Sequence, residues 1–393
     1  MNDQFEKIRK YFPHTKKIVF LNTAAFGPMS TPIKEAIDAN LDLRIAAEVD
    51  DTRDMYELRD RVREGYARLV GAETRQIGVN INTSYGLTLA SYGLPLNEGD
   101  EVLISDIEFP ATIYAWRGAA EIRKLKLSFI KSKDRKFDIG EFERSITDKT
   151  RVLSISFVQF FNGYKNDLAR LSEICKRHKL FFVVDGIQGA GAEPINVKEL
   201  GIDIFSCGCQ KWLLAPFGSS FFYISDSVKD LIIPHNITWY AADWKLQFSD
   251  LFKYDLPYFD TAERFQGGYY ATMNLLGMEA ALKIIMDLGV ENIQRLNHRL
   301  IDNLIEELKG SEYYKITSSL NEEVRSSIFT ITCDNLAELH RFLFHHKIYT
   351  ACREGSVRIS VHLFNNESDI EKTAEVLKLF ERQNTKKLAG KTS

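Results

Sequence analysis

The sequence has no uninterrupted apolar run long enough to cross a bilayer, and its opening, MNDQFEKIRKYF, puts charges where a secretory leader needs an apolar stretch. Both absences predict a soluble chain. Neither sign of charge dominates: 51 Lys and Arg stand against 54 Asp and Glu, a formal net charge of -3, with pI near 6.3. That balance supplies no electrostatic basis for holding nucleic acid or an anionic membrane, and leaves small molecules as the expected partners. Cysteine is scarce and odd in number, at Cys175, Cys207, Cys209, Cys333 and Cys352, a pattern of reduced thiols in a cytoplasmic compartment. Cys207-Gly208-Cys209 lacks a second ligand pair and reads as buried strand cysteines. The eight histidines show no zinc spacing, and His345-His346 reads as a solvated pair, so no metal is expected. No Gly-x-Gly-x-x-Gly turn follows an early strand, which argues against a nicotinamide enzyme. Gly390-Lys391-Thr392 imitates the end of a phosphate loop, but Thr385 stands where its first glycine belongs. There is no internal repeat.

What is present is core-forming material. The 393 residues are 45% hydrophobic and 12% aromatic, enough for one large and one smaller core. Ser30-Thr31-Pro32 is a helix start, because Ser caps and Pro is tolerated in the first turn. A second helix is predicted from Asp51 to Leu69, stopping before Gly71. Short apolar runs then alternate with helical stretches: Ile77–Ile81, Glu101–Ser105, Val152–Val158 and Leu180–Asp185, with a helix over Leu168–His178. The alternation predicts an α/β fold, with a mainly parallel sheet covered by helices on both faces and the site at the strands' carboxyl ends. Strands near Ile202–Cys207 and Ser219–Ile224 extend the sheet. Amphipathic helices follow over Tyr270–Leu308, then a small α+β unit over roughly 314 to 383. The Lys-rich end, Asn384–Ser393, reads as frayed.

The strongest chemical feature is Val183-Val184-Asp185-Gly186, an acidic residue closing a buried strand, followed one βα-sized step later by Cys209-Gln210-Lys211-Trp212. A carboxylate there keeps a pyridine nitrogen protonated, and a partly buried lysine, partly neutral, forms an imine with an aldehyde. Taken singly, Asp185 as a helix cap and Lys211 as a surface lysine are the simpler readings. Asn82-Thr83-Ser84-Tyr85-Gly86 lies between a strand and a helix, where free N–H groups and the helix dipole favour a phosphate; a plain N-cap explains it equally well.

On these motifs the chain resembles the class V aminotransferase family of fold-type I pyridoxal 5′-phosphate (PLP) enzymes, which includes cysteine desulfurases, selenocysteine lyases, isopenicillin N epimerase-like proteins and kynureninases. The resemblance runs from Phe20-Leu21-Asn22-Thr23-Ala24-Ala25-Phe26-Gly27-Pro28 to Arg358-Ile359-Ser360-Val361-His362. It implies Lys211 as the imine lysine, Asp185 at the pyridine nitrogen, Gln188 at the ring oxygen, Phe109 stacked on the ring, and Thr83, Ser84 and Gln210 near the phosphate. Gly268 and Tyr269 would reach the neighbouring subunit's phosphate in a homodimer, and Arg358, Arg353 and Asn22 would face the substrate. A guanidinium suits an α-carboxylate because its fork makes two parallel charge-assisted bonds. The implied organisation is residues 1–30 joining the small domain, 31–285 the large PLP domain, 286–383 the small α+β domain and 384–393 a disordered tail.

Departures narrow the reading. The desulfurase loop that carries a nucleophilic cysteine is cut here to Glu354-Gly355-Ser356, and Cys352 lies before it. Gly208 replaces a phosphate-binding Ser, and Phe160 stands where an asparagine meets the ring oxygen, with Gln159 or Asn162 as substitutes. Three hypotheses follow: an aminotransferase acting on an amino acid or small amine, a C–S lyase or epimerase on the same scaffold, and a noncatalytic binding protein of this fold.

Overall fold

The computed structural model describes residues 2–48, 53–242, 251–268 and 271–389. Its centre is a seven-stranded sheet made of β1 (Ile77–Asn80), β2 (Glu101–Ser105), β3 (Lys126–Ile130), β4 (Thr150–Ser156), β5 (Phe181–Asp185), β6 (Ile204–Gly208) and β7 (Ser220–Ile224). The spatial order is β1-β7-β6-β5-β4-β2-β3. The pairings from β3 through β6 are parallel, and β7 runs antiparallel to both β6 and β1.

These strands read as unbroken apolar runs because both faces are covered. Successive residues feed opposite cores: Phe182 and Val184 of β5 and Phe205 of β6 pack in the larger cluster, while Val183 and Ile204 pack in the other. Only β3 departs from this pattern. It lies at the sheet edge, its first four residues are exposed or half-buried, and its sequence Lys-Leu-Ser-Phe-Ile alternates polar and apolar residues in place of a continuous apolar run.

The helix expected to stop before Gly71 spans Arg53–Val70, and Gly71 follows at φ +70, a left-handed conformation suited to glycine. Residues 51–52 lie outside the described part. Ser30 takes the N-cap position of Thr31–Ile45, but its hydroxyl makes no capping bond. The last helix of the α+β unit runs over Glu367–Ala389, into the stretch expected to fray. The reason is packing: Asn384 is buried, and its side-chain Nδ2 donates to the Phe380 carbonyl at 2.9 Å.

A four-stranded antiparallel sheet forms the C-terminal part, in the order Ala351–Arg353, Ser356–Ser360, Ile328–Thr332, Lys315–Ile316. The N-terminal residues close on this part. Val19–Phe20 pairs in parallel with Ile348–Tyr349. Arg9 grips Asp369 with two nitrogens at 2.8 and 3.0 Å, and Phe5, Ile8 and Phe12 join the larger core.

Gly186, just past β5, has no room for a side chain, since an added Cβ would stand 1.8 Å from Cζ of Phe205. Gly186→Ala is therefore expected to cost about 3 kcal/mol, the upper range for overpacking a core, seen as a melting temperature lower by several degrees. An unchanged melting temperature would mean that the Phe205 ring moves aside freely.

Candidate active site

The register of the parallel strands sets polar residues side by side at their carboxyl ends. Ser156 of β4 pairs with Asp185 of β5, and Asp185 pairs with Ser206 of β6. The row places two hydroxyls on either side of a carboxylate near the carboxyl ends of three adjacent strands.

Asp185 is 2% exposed, and its Oδ1 accepts the N–H of Ile187 at 2.9 Å. It makes an Asx turn and caps no helix, which disposes of the simpler reading of that residue. Burial pushes its carboxyl up to about 6, against the pull of that N–H and of Lys211.

Lys211 follows β6 on a turn that packs against the N-terminal segment. Gly27 donates its N–H to the Gln210 carbonyl at 2.7 Å, and a Cβ on Gly27 would stand 2.3 Å from the Lys211 carbonyl oxygen. The side chain is half-buried, with Nζ 5.5 Å from the Phe109 ring centre. Burial lowers the ammonium to about 8, although Asp185 opposes the shift. An appreciable share of Lys211 is thus neutral near pH 7.5, the state a nucleophilic amine requires.

Phe109 is 40% exposed, and the Phe160 ring meets it edge-on at 5.1 Å. Ser84 is exposed and shares a shallow cavity wall with Phe109. Asn82 caps the helix Thr83–Gly93, its Oδ1 accepting from Tyr85 N. Thr83 is buried there; its Oγ1 accepts from Gly208 N at 2.8 Å, and its carbonyl accepts from Ser206 Oγ. Gln188 is tied down at both ends, Nε2 donating to the Ala24 carbonyl and Oε1 accepting from Trp212 Nε1, which leaves one N–H for a ligand. Asn22 is half-buried and its Oδ1 has no partner. Gly268 has open space around its Cα, and Tyr269 lies outside the described residues.

Arg358 is 2% exposed, yet among the described residues no carboxylate pairs with it. One Nη donates to the Phe160 carbonyl, Nε has no partner, and burial lowers the guanidinium to about 9, with the Arg353 charge adding to the effect. A buried cation without a counter-ion costs several kcal/mol and calls for an anion. Arg353 is exposed and bonded to the Cys352 carbonyl. Burial raises the half-buried Cys352 thiol, so it has little thiolate to offer. Cys207 and Cys209 are buried and their thiols are raised by burial, Cys209 to about 12.

Glu108 joins the site through partners distant in the sequence. It is 7% exposed; Oε2 accepts from the N–H and hydroxyl of Ser156, and Oε1 from Gln159 Nε2 at 2.8 Å. Burial pushes its carboxyl up to about 7, with Asp185 contributing. Of the two substitutes near Phe160, Asn162 is spent on the Arg135 carbonyl and the Tyr164 N–H. Gln159 keeps an unpartnered Oε1.

A buried carboxylate near a partly neutral lysine, at the carboxyl ends of a mainly parallel sheet, is the arrangement of a fold-type I PLP enzyme. The residues fit the cofactor: Asp185 favours a cation on its open side, Phe109 offers a ring face, and the helix start at Thr83 offers donors. A family model, Aminotransferase class-V, matches residues 47–373, and the chain belongs to that PLP-dependent family. The chain is 24% identical to the uncharacterized aminotransferase YcbU of Bacillus subtilis, over 93% of this chain and 95% of that one. It is 26% identical to the uncharacterized aminotransferase C777.03c of Schizosaccharomyces pombe, over 95% and 96%. The fold is that of the cysteine desulfurase from Thermococcus onnurineus NA1, with a TM-score of 0.86 at 22% identity over 96% and 98% of the two chains.

Two raised carboxyls make a pH prediction. Asp185 and Glu108 bind protons more tightly folded than unfolded, so their contribution to the stability of the cofactor-free protein is full below about pH 4 and is lost as pH rises through 6 to 7. Glu108→Gln removes one of them. Its melting temperature is expected to gain on the unmodified protein between about pH 5 and pH 8; a constant gap would show that Glu108 does not titrate there.

Proposed function

We propose that the chain moves an amino group between an amino acid and a keto acid, with Lys211 as the catalytic amine and Asp185 as the partner of the cofactor's ring nitrogen. PLP, when bound, supplies an aldehyde and a ring that draws electrons from the substrate carbon. The observation that carries the reading is Lys211, its ammonium lowered to about 8 with Asp185 nearby, set close enough to an uncompensated Arg358 to feel its charge.

In this reading Arg358 binds the α-carboxylate, the one charge that relieves its own burial. Asp185, held by Ile187 N–H, keeps a positive ring nitrogen charged. The Lys211 amine would take or return the proton at the substrate carbon, a task suited to an amine near pH 8. Phe109 and Gln188 hold the ring's face and edge, and Thr83, Ser84 and Gln210 lie at the phosphate end. The hairpin at Glu354-Gly355 has no cysteine, which counts against persulfide chemistry. Three further expectations travel with this reading: a large and a small domain dividing near residue 285, a homodimer in which Gly268 and Tyr269 reach the partner's site, and a cytoplasmic location. Exposed Met29, Ile45 and Phe217 provide apolar surface for such a contact. No described helix is long and apolar enough to cross a membrane.

The protein reconstituted with PLP is expected to show a long-wavelength absorbance band that Lys211→Ala abolishes, together with keto acid formed in step with amination of an added acceptor. Turnover in Lys211→Ala should drop about a thousandfold, as for loss of a general acid–base. Sulfide, alanine or an inverted centre in place of keto acid would move the chemistry to elimination or racemisation. Arg358→Met is expected to lose the spectral response to amino acids while melting no lower than the unmodified protein, because it removes an unpaired buried charge.

A further inference from the structure

Next to the Phe160 ring lies a cavity of about 350 Å³, walled by Phe160, Phe161, Glu108 and Arg135 and closed on one side by Glu354. It adjoins the proposed reaction centre: Lys211 faces Phe109, Phe109 meets Phe160 edge-on, and the Phe160 carbonyl holds Arg358. A side chain attached to a substrate whose α-carboxylate sits on Arg358 has this cavity as its neighbouring space.

Two tight hairpins meet over it. One carries Asp134 and Arg135 at φ 51 and 60 between Lys133 and Lys136, which exchange both backbone hydrogen bonds. The other carries Glu354 and Gly355 at φ 44 and 78 between the paired residues Arg353 and Ser356. These are left-handed positions where glycine or asparagine is the low-cost choice, so an arginine there is held at some conformational expense. Arg135 is fixed by three contacts. Its carbonyl accepts from Asn162 Nδ2 at 2.8 Å, its guanidinium lies 4.9 Å over the Phe161 ring, and Nη2 donates to the Glu354 carbonyl at 2.7 Å.

The guanidinium still has donors to spend and makes no ion pair among the described residues. Three acidic residues line the same cavity; the Glu108 carboxylate is bonded to Ser156 and Gln159, and that of Asp106 to Ser132 N and Lys131. Glu354 presents its carbonyl to Arg135. Phe160 and Phe161 thus stand between two guanidiniums: Arg358 on the carbonyl of the first, Arg135 on the ring of the second.

We infer that this cavity receives the substrate's side chain and that Arg135 selects amino acids whose side chain ends in a carboxylate. Arg135 is a specificity-determining residue in this scheme; Lys211 does the chemistry. The inference rests on the reading that Lys211 and Arg358 handle an α-amino acid.

The test titrates the PLP-reconstituted protein with L-glutamate, L-aspartate, L-alanine and L-lysine, following the absorbance band and, separately, the melting temperature. The expected result is a dissociation constant at least tenfold lower for an acidic amino acid than for alanine or lysine. In Arg135→Gln the alanine-to-glutamate ratio should fall below about three, and in Arg135→Lys, which keeps the charge but not the fork, it should lie in between. Equal affinity for alanine and glutamate in the unmodified protein overturns the inference, as does a preference for lysine, which would assign the cavity to Glu354. A ratio untouched in both variants also overturns it. A lysine-dependent band that responds to no amino acid overturns the amino acid reading itself, and the inference with it.

Discussion

Two opposite charges are buried near each other in this protein without touching, and the site depends on that separation. If Asp185 and Lys211 were in direct contact they would neutralise one another as an ordinary ion pair, and neither would have reason to bind anything. Instead, burial disfavours the charged form of each, pushing the carboxyl up to about 6 and the ammonium down to about 8. The cost is met by the sheet. Parallel strands end together, β5 and β6 are locked in register by pairs such as Val184 with Phe205, and the turn carrying Lys211 is wedged against Gly27. A cofactor with a positive ring and an electrophilic carbon supplies what both side chains lack.

The parts of the site that were legible in the sequence are those whose signal is local. Asp185 stands out because four apolar residues precede it, and Lys211 because it lies one structural step later. The helix start at Thr83 is visible in its polar residues. Glu108 and Arg135 became visible only in three dimensions, because their meaning lies in distant partners: Ser156 and Gln159 for the first, Phe161 and Glu354 for the second. The edge strand Lys126–Ile130 was hidden for the opposite reason, since one exposed side relaxes the apolar pattern that betrays a buried strand. At the C-terminal end lysines suggest fraying, whereas the helix continues to Ala389 with Asn384 buried and its Oδ1 accepting from Asn335.

The hairpin at Glu354-Gly355 is one of the departures from the desulfurase pattern. A two-residue connection leaves no slack to carry a reactive thiol toward a substrate, and Cys352 sits before it with a raised thiol. The shortened loop meets the Arg135 hairpin instead. Here a short hairpin forms one side of the cavity that Arg135 and Phe161 also line.

The closure of the N-terminal residues on the C-terminal sheet bears on how the molecule is made. Val19–Phe20 has no strand partner until Ile348–Tyr349 has been synthesised, and Arg9 waits for Asp369. During translation the first residues must therefore stay unpaired while the central sheet assembles, with Phe5, Ile8 and Phe12 uncovered in the meantime. Because Gly27 belongs to this same segment and packs against the Lys211 turn, the surroundings of Lys211 are complete only when that segment has docked.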